Sequence, residues 1–180
     1  MHALRIGIGI VWALFWIGWL GVAFTANRST NRRFFMGPRG VAAVALVILL
    51  RGVHGGSLEV RSMLVAAIGA VLFAAGIALA VWARAILGRN WGMPMTQRAE
   101  PELVTAGPYG LIRHPIYSGI LLGMVGTSLA TNLIGLGITL VLGIFFVYSA
   151  IVEERNLTAT FPSAYPAYRE RTKMLIPYLL

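Results

Sequence analysis

The sequence predicts an all-α integral membrane protein of five transmembrane helices, N-out and C-in, with a cytoplasmic C-terminal amphipathic helix. Three observations predict it. Hydrophobic residues make up 58% of the chain against 12% charged, too apolar for a soluble globule of 180 residues. Long charge-free runs alternate with short segments that carry the arginines. The arginines also divide unequally between alternate segments, as the positive-inside rule requires of cytoplasmic loops.

Ile6 to Thr25 is a run of twenty uncharged residues, enough to cross a bilayer at about 1.5 Å rise per residue. Ala23-Phe-Thr-Ala26 resembles a signal-peptide cleavage site, but the run is long for a signal h-region of roughly 7–15 residues. Its flanks are also reversed for a signal, with Arg5 before it and Arg28, Arg32 and Arg33 after. A retained anchor with its N-terminus outside is expected. The second span continues from Val41 to Leu50 and meets Arg51, His54 and Gly55-Gly56. Ser62 to Trp82 forms the third, running on through Arg84 to Leu87, and its many Ala and Gly suit close packing inside a bundle.

Pro115 to Ala130 and Leu133 to Val152 are the fourth and fifth spans, a tight hairpin with Thr131-Asn132 between them. Pro favours a first helical turn, so the fourth helix starts at Pro115 with His114 near its N-cap. Gly119, Gly123, Gly126 and Ala130 fall at i, i+4, i+7 and i+11, which reads as a packing groove rather than a ligand surface. The fifth helix should continue through Arg155 to about Phe161, because carboxylates Glu153 and Glu154 at its end would oppose the dipole. Ser163 to Leu175 reads as the amphipathic helix, capped by Ser163, with Tyr165, Tyr168, Thr172 and Leu175 on one face. Arg169, Arg171 and Lys173 are assigned to lipid headgroups, an interfacial anchor rather than a lid.

With this threading the inner segments hold twelve Arg and Lys and the outer ones three, Arg5, Arg51 and Arg61. The net charge of +9 is therefore a topology signal and a contact with anionic lipid, not a nucleic-acid stripe. Cysteine and aspartate are absent and the three His are far apart, so thiolate nucleophiles are excluded and no metal site is expected.

Three polar clusters then share the cytoplasmic face: Trp82 to Trp91, Gln97 to Tyr117, and Glu153-Glu154. Taken singly, each has an ordinary explanation. Trp82 and Trp91 suit the interfacial belt, Arg84 and Arg89 suit cytoplasmic charges, and His114 suits a helix cap. An ionisable group facing the bundle at a membrane boundary is a functional candidate by default, and here several converge.

Leu103-Val-Thr-Ala-Gly-Pro-Tyr, Arg113-His-Pro-Ile-Tyr-Ser-Gly119 and Glu153-Glu154, followed by Leu157, Phe161, Tyr165, Tyr168 and Ile176-Pro177, together resemble the isoprenylcysteine carboxyl methyltransferase family. Leu87-Gly-Arg-Asn-Trp91 is similar to the segment before this core in bacterial members. The resemblance covers residues 80–177 of a single membrane domain; residues 1–79 carry no motif of it. It implies S-adenosylmethionine-dependent methyl transfer to a lipophilic small molecule at the cytoplasmic face of a bacterial inner membrane. By the same resemblance Gln97, Glu102, Leu103, Val104, Tyr109, His114, Pro115, Tyr117 and Glu154 hold the cofactor. Arg113 and Glu153 stand as catalytic candidates, and Arg84, Arg89 and Trp91 as substrate contacts. The sequence departs from the eukaryotic enzymes at Ala150, where they carry an Arg for the substrate carboxylate, and at Phe161-Pro162, where Phe-Gly is usual. A carboxylate is still the first acceptor expected, with a phospholipid or other amine as the alternative. Membrane sterol reductases that use NADPH carry a similar Arg-His-Pro motif and provide a third reading.

Overall fold

The computed structural model describes residues 1–23, 58–88 and 102–177. The predicted second span, the arginines from Arg28 to Arg39 and the site candidates Arg89, Trp91 and Gln97 lie outside the described residues. The described elements are α1 (His2–Ala23), α2 (Met63–Leu87), a 3-10 turn (Gly107–Gly110), α3 (Pro115–Ala130), α4 (Ile134–Thr160) and α5 (Ala164–Arg171). Three stretches, His2–Trp19, Met63–Leu87 and Ile134–Thr160, are long and apolar enough to span a membrane. Helix α3 has 16 residues, about 24 Å at 1.5 Å per residue.

Helix α2 is the predicted third span. Its N-cap is Ser62, whose side chain accepts a hydrogen bond from the Val65 amide at 3.4 Å. The basic side chain of its last turn, Arg84, donates to Gly88 O at 2.7 Å, where it supports the free carbonyls of the helix end. Helices α2 and α3 pack with their backbones touching. A Cβ placed on Gly119 would sit 2.7 Å from both Ala80 N and Gly76 O. One on Gly69, Gly76 or Gly126 would run into the opposite backbone more closely still. The small-residue stripe is therefore a helix-packing groove, as its spacing indicated.

Helix α1 closes one side of this pair with an aromatic series. Trp12 packs on Phe73 at 5.7 Å, Phe15 on Trp19 at 4.9 Å, and Trp12 Nε1 donates to Thr127 Oγ1 at 2.9 Å. The exposed faces of α1, α2 and α4 carry Ile10, Leu14, Leu64, Val71, Leu140 and Ile144, side chains suited to acyl chains. At one end of the bundle Arg5 pairs with Glu59. There the strand-like entry to α2 also bonds the α3–α4 turn, through Val60 N to Thr131 O at 3.1 Å and Leu133 N to Leu58 O at 3.0 Å.

The C-terminal segment departs from expectation. The helix predicted over Ser163–Leu175 is confined to Ala164–Arg171, and Ser163 sits in helical geometry without a side-chain cap bond. Thr172 is extended and Lys173 bridges Ile112 in parallel, because residues 111–118 take the polar groups of this segment. Lys173 N donates to Leu111 O at 3.2 Å, Arg113 N to Lys173 O at 2.8 Å, and His114 N to Met174 O at 3.0 Å. Ser118 Oγ donates to Leu175 O at 2.5 Å. Tyr165, Tyr168, Thr172 and Leu175, predicted to form one face, are all buried against protein. The segment covers the loop before α3 and leaves Arg169, Arg171 and Lys173 exposed.

Candidate functional site

The site is built where that loop, the start of α3 and the far end of α4 meet. Gly107 opens the 3-10 turn in left-handed geometry, φ 59°, and an added Cβ would lie 3.2 Å from Ile86 on α2. Pro108 follows at the second helical position, and the turn buries Tyr109 beneath α5. Tyr168 OH donates to Tyr109 O at 2.7 Å, and burial pushes that phenol up to about 12. Pro115 then starts α3. His114 holds the N-cap position but makes no side-chain cap bond, so its ring is left for tertiary contacts.

Those contacts come from α4, which runs on as predicted past Glu153 and Glu154 to Thr160. Neighbouring helical residues project about 100° apart, so the two carboxylates take different partners. Glu154 is buried and accepts from Arg113 Nε at 2.7 Å, while its other oxygen lies 3.6 Å from Arg169 Nε. Arg113 also reaches the C-terminal segment, its Nη1 donating to Thr172 O at 2.5 Å and Arg169 O at 3.3 Å. A buried ion pair costs about 3–5 kcal/mol to break from one side, so this one fixes the cover segment to α4.

Glu153 is partly exposed and accepts from Tyr117 OH at 2.5 Å. The His114 imidazole stands between the two acids, Nδ1 3.4 Å from Glu153 and Nε2 3.4 Å from Glu154. Its plane stacks on Tyr117 at 5.5 Å and 4°, and Tyr117 stacks on Phe146 at 4.6 Å. Burial disfavours the charged ring, but the two carboxylates outweigh it and hold the His114 pKa above its ordinary value. Although Nε2 is within ion-pair distance of Glu154, its direction makes no hydrogen bond.

The structure thus brings together five of the predicted site residues, Arg113, His114, Tyr117, Glu153 and Glu154, with Pro115 and Tyr109 directly beside them. Leu103 and Val104 lie on the loop approaching the 3-10 turn, where Val104 packs against the core that contains Tyr109 and Tyr117. Glu102 is exposed at the start of that loop. Arg84 lies at the C-terminus of α2, on the element that packs against the turn through Ile86. Ala150, one turn before Glu154, is completely buried in the core. Ser118, Tyr165 and Tyr168 were not among the sequence candidates. The i, i+3 spacing of the two tyrosines was visible, but nothing local says that their face meets protein rather than lipid.

The cluster holds two carboxylates, a guanidinium and an imidazole with a raised pKa, an array matched to a zwitterionic group. A family model described as phospholipid methyltransferase matches residues 64–164. The cobalt-zinc-cadmium resistance protein CzcN of Cupriavidus metallidurans is 36% identical over 98 residues, covering 53% of this chain and 45% of that protein. A probable protein-S-isoprenylcysteine O-methyltransferase of Oryza sativa subsp. indica is 38% identical over 80 residues, 43% of this chain and 42% of that protein. The chain therefore spans less than half the length of these curated relatives. Among solved structures, the eukaryotic intramembrane Ras methyltransferase ICMT (isoprenylcysteine carboxyl methyltransferase) superposes with a TM-score of 0.69. That match has 21% identity and covers 98% of this chain and 68% of that one, a likeness of fold.

Proposed function

The chain belongs to the phospholipid methyltransferase family, and from that membership we propose that it transfers a methyl group from S-adenosylmethionine to a lipophilic acceptor. The observation that carries the reading is the cluster of Arg113, His114 and Glu154, buried, with Glu153 at its edge, and His114 Nε2 left without a hydrogen-bond partner. A buried polar atom without a partner marks a place that a ligand group can satisfy. The residues fit the cofactor. His114 and the amides at the start of α3 suit its carboxylate, and Glu154 suits its amino group or ribose hydroxyls. Gln97, Glu102, Leu103, Val104, Tyr109, Pro115 and Tyr117 complete the proposed holding set.

When bound, the cofactor supplies a methyl group already activated on a sulfonium. The protein is left with alignment and exclusion of water, a proximity effect. A carboxylate acceptor is ionised at neutral pH, with a reference pKa near about 4, and needs no base. Arg84, Arg89 and Trp91 are the proposed acceptor contacts. Arg113 holds Glu154 and the cover in register, and Glu153 stands at the partly exposed edge of the cluster. We place the acceptor's entry sideways from the bilayer, between helices with Ile, Leu and Val faces. The proposal includes five membrane helices in one domain, with residues 80–177 as its core, N-out and C-in in a bacterial inner membrane.

Two measurements test it. Calorimetry on the purified protein should detect S-adenosylmethionine, and binding of NADPH in its place would support a reductase instead. Labelled cofactor with membrane extract should give product whose label leaves as methanol in mild base, as methyl esters do. Label that stays fixed would replace the carboxylate with an amine, for which Tyr117 and Glu153 form the available base.

A further inference from the structure

We propose that the Tyr165 hydroxyl is a further binding group of this site, taking the amino-acid end of the cofactor together with Glu154. The inference rests on the S-adenosylmethionine reading above and names a residue and a ligand part beyond it.

Tyr165 is 1% exposed, and its hydroxyl has no hydrogen-bond partner among the described residues. Burying a hydroxyl unpaired is costly, and native structures give nearly all such groups a partner. Its neighbour on the same face shows what the fold does with a purely structural tyrosine. Tyr168 has the same ring and similar burial, stacks edge-on against Tyr165 at 5.9 Å, and donates to Tyr109 O. Phenylalanine would fill the Tyr165 position equally well if packing were all that was required.

The location is specific. The phenol is within electrostatic reach of Glu154 and Arg113, and burial together with Glu154 pushes its pKa up. It is therefore protonated at neutral pH, able to donate to a carboxylate or accept from an ammonium. Another buried atom without a hydrogen bond, His114 Nε2, lies 3.4 Å from the same Glu154. Two buried polar atoms that make no hydrogen bond thus belong to the surroundings of one carboxylate, within an array of alternating charge. A neutral ribose would use hydrogen bonds alone. An amino-acid group presents one ammonium and one carboxylate, the charge pattern that Glu154, Glu153 and His114 complement.

The test is a Tyr165→Phe variant of the full chain in detergent, titrated with two probes and followed for thermal stability without ligand. S-adenosylhomocysteine carries the amino-acid end; methylthioadenosine carries the nucleoside without it. The variant should bind S-adenosylhomocysteine about tenfold more weakly and methylthioadenosine as the wild type does. Its unliganded stability should be unchanged or higher, because an unsatisfied hydroxyl has been removed. Unaltered S-adenosylhomocysteine binding overturns the proposal, as does equal weakening of both probes, which would move the hydroxyl to the nucleoside. A marked loss of unliganded stability also overturns it, by making Tyr165 a structural residue. A wild-type protein that binds neither probe removes the cofactor reading itself, and this inference with it.

Discussion

At the scale of single residues, the chemistry of this protein is concentrated in how four charges neutralise one another at low exposure. His114 decides the balance, because both acids lie against the imidazole. Its pKa in the folded protein is raised, so the folded state binds the proton more tightly than the unfolded chain does. The resulting stability is complete below the unfolded value of about 6.5 and is lost as pH rises through the folded value. Thermal melts in detergent between pH 5.5 and 9 should therefore show a fall on the alkaline side that His114→Gln abolishes. A wild-type profile as flat as that of the variant would mean that the ring is neutral between its acids.

At the scale of elements, the α2–α3 pair is the rigid part of the scaffold, and its glycines are required for distance rather than for flexibility. Membrane helices gain little from apolar burial against each other, so contact depends on close approach of the backbones. Gly126→Ala places a methyl against the Phe73 backbone and should destabilise by about 1–3 kcal/mol, the range of overpacking. Gly137→Ala, on α4 with nothing within 4 Å of the new Cβ, should be neutral or stabilise by up to about 1 kcal/mol through helix propensity. Parallel unfolding curves of the two variants separate these outcomes. Equal effects would show that the α2–α3 contact is looser than described.

At the scale of the whole molecule, two ends are distinguished. One carries the Arg5–Glu59 pair and the α3–α4 turn; the other carries the Glu154 cluster and the cover segment. With the twelve-to-three split of basic residues, the cluster end is the proposed cytoplasmic one. Reporter fusions after Asn31, Gln97 and Leu180 should report cytoplasm, and one after Glu59 the outside. An external C-terminus would separate the site from its cofactor and defeat the proposed function.

Much of this arrangement was legible in the sequence, for a physical reason. Helix boundaries depend on neighbours along the chain: Pro115 at a first turn, Pro162 as a stop. The small-residue stripe on α3 and the continuation of α4 past Glu154 follow from period and dipole, which are also local. The motif with His114 and the pair Glu153-Glu154 could be named as a site because both arise at the end of a predicted membrane span. Only the tertiary structure decided which carboxylate is buried, that Arg113 holds Glu154 and the carbonyl of Thr172, and that Tyr165 has an unpaired hydroxyl. It also decided that the chain leaves the helix at Thr172 and bridges Ile112 through Lys173. Helical period and the basic residues favoured a longer helix on the membrane surface. The backbone groups of Leu111, Arg113 and His114, about sixty residues earlier, supplied hydrogen bonds that such a helix would forgo. Periodicity along the chain marks a face as apolar, but whether lipid or protein covers it depends on partners distant in sequence.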